Sequence, residues 1–67
     1  MKDLKFYTKA AENAMIEFRE EGKNCGYIYI DMEFGAEFSR KHDYRPQRVC
    51  YYYSDDVPLR FIGRTCL

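Results

Sequence analysis

The apolar residues of this chain change their spacing once, and that change limits the fold more than any other feature. Leu4, Tyr7, Ala11, Ala14, Met15 and Phe18 recur at three- and four-residue steps, which is one stripe of a helix. Asp3 stands where an N-cap belongs and Gly22 where a helix stops; Phe6 and Ile16 fall off the stripe. From Tyr27 the pattern alternates, and alternation sends successive side chains to opposite faces of a strand.

In "YIYIDMEF", Ile28, Ile30, Met32 and Phe34 share one face, while Tyr27, Tyr29, Asp31 and Glu33 share the other. "GAEFSRKHD" reads as a turn or two of helix, ended by Pro46, which disfavours helical backbone at Arg45. "QRVCYYYS" and "LRFIGRTC" read as two further strands joined through "SDDVP", where an aspartate can close the turn on its own backbone. The expectation is an α+β fold: one N-terminal helix packed on a three-stranded antiparallel sheet, two layers in a single domain spanning residues 1–67. Its inner sheet face takes Ile28, Ile30, Met32, Phe34, Val49, Tyr51, Tyr53, Leu59 and Phe61.

With 67 residues there is room for one small core. Apolar residues at 46%, of which seven Tyr and five Phe supply the large rings, argue for a folded chain over a disordered one. The formal charge is zero but unevenly spread. Residues 1–38 carry five basic and eight acidic groups (5 − 8 = −3), and residues 39–67 carry six basic and three acidic (6 − 3 = +3). That is polarity within a domain, not the general basicity of a duplex-binding protein. No apolar run is long enough for a membrane span, and the N-terminus lacks the core of a signal peptide, so a cytoplasmic protein without membrane contact is expected.

The tyrosine triplet raises the functional question. If Tyr51 and Tyr53 face the helix, Tyr52 faces outward beside Tyr27 and Tyr29, with Arg48, Arg60 and Arg64 around them. Such a face is either solvated surface or a binding surface. Tyr and Arg are the residues enriched at interface hot spots, so a partner protein, with a second copy of the chain among the options, is the first functional reading. The alternative is single-stranded DNA or RNA stacked on the tyrosines, aided by the basic loop residues Arg40, Lys41, Tyr44 and Arg45. Against nucleic acid stand Asp31 and Glu33 on the same platform. Compact chains of this size are often regulators or inhibitors carried by phages and mobile elements, an association resting on size alone.

No catalytic residue, metal or cofactor is expected. Cys25, His42, Cys50 and Cys66 supply the donors of a Cys₃His zinc set but lack the short ligand spacings that fix two corners of a tetrahedron. The neighbours His42 and Asp43 do not aim at each other in an extended chain, and a chain this short can barely wall a water-poor pocket. The order helix–strand–strand–strand resembles the opening of the double-stranded RNA-binding domain, but the lysine-bearing second helix of that family is missing. The sequence places the chain in no family.

Overall fold

The computed structural model describes residues 3–64 and shows one helix against a four-stranded antiparallel sheet. Helix α1, Leu4–Glu20, starts where the Asp3 carboxylate accepts from the Phe6 amide at 3.1 Å. It ends in a double-bonded turn: the Lys23 amide reaches the Phe18 carbonyl and the Gly22 amide the Arg19 carbonyl. Gly22 makes this turn with φ +87°, a conformation that costs glycine little.

Four strands follow: β1 (Gly26–Asp31), β2 (Gly35–Ser39), β3 (Val49–Tyr53) and β4 (Arg60–Arg64), in the spatial order β2-β1-β3-β4. The expected three-stranded sheet therefore gains a strand, and "GAEFS" is β2 instead of helix. The alternation of "YIYIDMEF" is broken at Asp31, whose carboxylate accepts from the backbone amides of Glu33 (2.7 Å) and Phe34 (3.1 Å). That local bonding folds the chain back on itself. Gly35 completes the turn at φ +88° and pairs with Asp31, setting the register down to Tyr27 opposite Ser39. Met32 and Phe34 consequently leave the inner face for the turn, where they are 40% and 71% exposed. Phe38 takes their place, opposite Ile28 and with its ring 5.5 Å from Phe18.

The core consists of Ala11 and Ala14 from the helix against Ile28, Ile30, Val49, Tyr51 and Tyr53. The small side chains of the two alanines leave room beneath the helix for the tyrosine rings of β3. Each inner tyrosine brings a hydroxyl that needs a partner when buried. Tyr51 Oη lies 2.9 Å from Thr8 Oγ1, and Tyr53 Oη donates to the Lys23 carbonyl at the helix end. Both sit on the face expected for them. The helix packs over β1, β2 and β3 and leaves β4 largely outside its cover, so Phe61, although it faces inward opposite Tyr51, stays 46% exposed.

Gly26 sits where β1 leaves the helix connection, and a Cβ there would meet Phe38 Cε1 at 2.5 Å and the Ser39 carbonyl at 2.8 Å. A methyl would push apart the start of the β1–β2 pair. Gly26→Ala is expected to lower stability by about 1–3 kcal/mol, measured by urea denaturation, while Lys9→Ala on the exposed helix face changes little.

Candidate functional site

Strands β2 and β3 both run antiparallel to β1, one on each side of it, and are thus parallel to each other. The chain between them, residues 40–48, has to travel back along the length of β1 before β3 can begin. The helix occupies one face of the sheet, so this segment passes over the other as a strap. What it covers is the face on which the sequence places a tyrosine and arginine platform.

Tyr29 lies beneath the strap, fully buried, next to the equally buried Cys50 opposite it in the sheet. Its phenol is the strap's anchor. It donates to the Asp43 carbonyl (2.7 Å), accepts from the Asp43 amide (2.8 Å) and lies 3.0 Å from His42 Nδ1. The one phenolic proton goes to the carbonyl, so His42 must bring its own hydrogen on Nδ1, which sets the imidazole tautomer. His42 is exposed to solvent and stacks on Tyr27 at 5.1 Å. Burial pushes the Tyr29 phenol up to about 12 and raises the Cys50 thiol as well.

Charge pairs close the strap over the rest of the face. The Arg45 guanidinium lies 5.1 Å over the Tyr29 ring and 3.3 Å from Glu37, and Arg48 bonds Asp31 at 3.0 Å and the Pro46 carbonyl at 3.1 Å. Arg48 Nε also stands 3.7 Å from Glu37. Ser39 ties the strap's first turn by donating to the Lys41 carbonyl at 2.7 Å. Arg45 also stands 3.5 Å from the Asp43 carboxylate, so Arg45 and Arg48 are internal clamps on three carboxylates, and the platform offers them to a ligand only by breaking those pairs.

Arg64 is not on this face at all. Cys50 pairs with Gly63 and Tyr51 with Phe61, so Ile62 is an extra residue in the ladder, a β-bulge that reverses the facing of everything beyond it. Arg64 ends on the helix side, 5.5 Å over the Tyr7 ring. Arg60, before the bulge, keeps its place opposite Tyr52.

What remains accessible is smaller than the sequence suggests. Tyr27 and Tyr52 are half-buried, with ring centroids 5.0 Å apart, and Arg60 is exposed beside them. Cys25 Sγ lies 3.5 Å from Tyr52 Oη, a contact that raises the phenol above its ordinary value. Arg40, Lys41 and Tyr44 project from the strap, Tyr44 at 61% exposure. Among the described residues no group of three or more His, Cys, Asp or Glu side chains is gathered as a metal site, and Cys66 lies outside them. The raised Cys50 thiol is displaced in the opposite direction from an activated nucleophile. No helix among the described residues is long and apolar enough to cross a membrane.

No family model matches the chain, and comparison with curated proteins and with solved structures finds no significant match. The reading of this surface rests on its own chemistry.

Tyr29→Phe leaves the Asp43 amide and carbonyl without their buried partner, and a loss of about 1–3 kcal/mol is expected in urea denaturation. The sign of the pH dependence follows from the raised phenol. The native state holds the Tyr29 proton more tightly than the unfolded chain, so its contribution is complete below about pH 10 and is lost as pH rises toward 12. Alkaline titration of the urea midpoint should fall less steeply in Tyr29→Phe than in the parent. Alkylation of the native protein should label Cys25, which is exposed, well before Cys50.

Proposed function

We propose that this protein acts by binding another protein, without catalysis, through the patch formed by Tyr27, Tyr52 and Arg60. The observation that carries the reading is the contrast among the arginines. Arg45 and Arg48 are spent on Asp31, Glu37 and the strap, whereas Arg60 is exposed and forms no ion pair with any described residue. It stands beside two rings held against each other on paired strands. Preorganised aromatic area next to an unneutralised guanidinium is the composition of an interface hot spot, with little side-chain entropy left to lose on binding. A regulatory or inhibitory role toward a larger partner is the form this reading takes for so small a domain.

The second reading, single-stranded nucleic acid, is favoured by one observation. Tyr27, Tyr52 and His42 form a contiguous run of rings on which a base could stack. The cations left to meet a phosphate backbone are few, because the pairs on Asp31 and Glu37 hold two of the arginines. A salt titration separates the readings, since nucleic-acid affinity falls steeply with ionic strength and an aromatic protein contact does not.

Tyr52→Ala is expected to leave the thermal midpoint nearly unchanged and to weaken binding to the partner recovered by pull-down by at least about 1 kcal/mol. Tyr51→Ala, which empties a buried site and strands the Thr8 hydroxyl, is expected to act on stability instead. Normal binding by Tyr52→Ala would remove the patch from the interface.

A further inference from the structure

We propose that the outer edge of β4 is a docking strand for an extended acidic segment of another protein, which adds to the sheet as a fifth strand. The inference rests on the reading of this protein as a binding module and assigns the chemistry of its partner.

β4 is the outermost strand on its side, so the backbone groups facing away from β3 meet no strand among the described residues. The helix layer stops short of it. Phe61 and Ile62 are 46% and 40% exposed, and Leu4 on the helix is 46% exposed as well. Leu4 belongs to a groove of about 480 Å³ whose wall also includes Lys5, Thr8, Lys9 and Glu12. Thr8 is bonded to Tyr51, and the Tyr51 ring meets Phe61 edge-on at 5.8 Å, so the groove lies on the β4 side of the helix. A strand added to β4 would therefore gain backbone hydrogen bonds along its length, while its inward side chains would cover Phe61 and enter the groove.

Charge selects the occupant. Arg64 shares the helix side with Lys5 and Lys9 of the groove, where Glu12 is the one carboxylate among these positions (3 − 1 = +2), and Arg60 adds a cation on the opposite face, so an added strand meets positive charge on both sides in a chain of zero net charge. A second copy is the poorer occupant: antiparallel pairing centred on Ile62 would set Arg60 of each chain against Arg64 of the other, and like charges directly opposite destabilise a sheet. Pro58 and the bulge at Ile62 keep the usable edge short, which suits a brief segment and discourages indiscriminate sheet extension. The other edge lacks these features, since β2 carries no cation and its inward Phe38 is already packed against Phe18.

The test uses capped nine-residue peptides titrated into the isotope-labelled full chain at low salt, with amide NMR shifts as the readout. One peptide alternates glutamate with valine, the second replaces each glutamate by lysine, and the third is the acidic peptide N-methylated on alternate amides. The acidic peptide is expected to bind at least about tenfold more tightly than the lysine peptide. The shifts should centre on residues 4–9 and 60–64, and N-methylation of the pairing edge should abolish binding. Arg60→Glu and, separately, Lys9→Glu should each narrow the preference, which keeps the test open if one variant folds poorly. Glu33→Gln, in the exposed turn between β1 and β2 at the opposite edge of the sheet, should bind the acidic peptide like the parent. Equal binding by the N-methylated peptide, or none by any of them, overturns the inference. So does tighter binding of oligothymidylate at the same residues, or a stable dimer in sedimentation whose contact is β4. If the peptides fail while Tyr52→Ala still loses the recovered partner, the edge is wrong and the tyrosine patch stands.

Discussion

The hydrogen bonds of the Tyr29 phenol are the constraint on which the far side of the sheet depends. A segment laid across a sheet carries backbone amides and carbonyls that cannot use a strand ladder, and burial without partners would cost more than the contacts return. Tyr29 rises from β1 to meet two of those groups at a single residue, the carbonyl and the amide of Asp43, and the ring nitrogen Nδ1 of His42 besides. One aromatic side chain thus supplies apolar area below and a polar end above, where the strap crosses. The strap is in turn the connection through which β3 comes to pair with β1 on the side away from β2.

The same device appears on the helix side. Tyr51 and Tyr53 fill space that two alanines leave open, and their hydroxyls reach Thr8 and the carbonyl of Lys23. The helix covers one face of β1 and β3, and on the other face the strap side holds Tyr29 and Cys50 buried while Tyr27 and Tyr52 stay half-buried, so a small domain gains core on both sides of its central strands. The charge pairs around Arg45 and Arg48 belong to this arrangement: partly shielded, they fix the strap's position more than they add stability. A consequence for binding is that most of the cationic chemistry near the tyrosines is already used internally.

The helix, its two ends and the facing of the tyrosine triplet were legible in the sequence, because each follows from local periodicity or from a single capping residue. Strand β2 was not. Met32 and Phe34 continue the alternation past Asp31, and a periodicity reading has no means of weighing the Asp31 turn against them; Gly35, four residues on, was the available signal. Arg64 was misplaced by one bulged residue, which inverts every side chain after it. Tyr29 was given its correct face and the wrong environment. Parity says which way a side chain points, but whether that side is wet depends on the path of a loop between strands not adjacent in the sheet, and pattern alone does not carry that information.

Lifting of the strap would be a local opening, distinct from global unfolding. The strap has no ladder of its own, and its attachments among the described residues include a phenol, carboxylates, ring contacts and one serine, none of them part of the strand pairing, so lifting it alone would leave the four strands paired. Cys50 shares the cover over Tyr29 and is reached by solvent when that cover lifts. Its sulfur is thus a built-in clock: the rate at which it meets a small reagent counts openings of one segment, while amide exchange within β1 and β3 counts the rarer loss of the whole sheet.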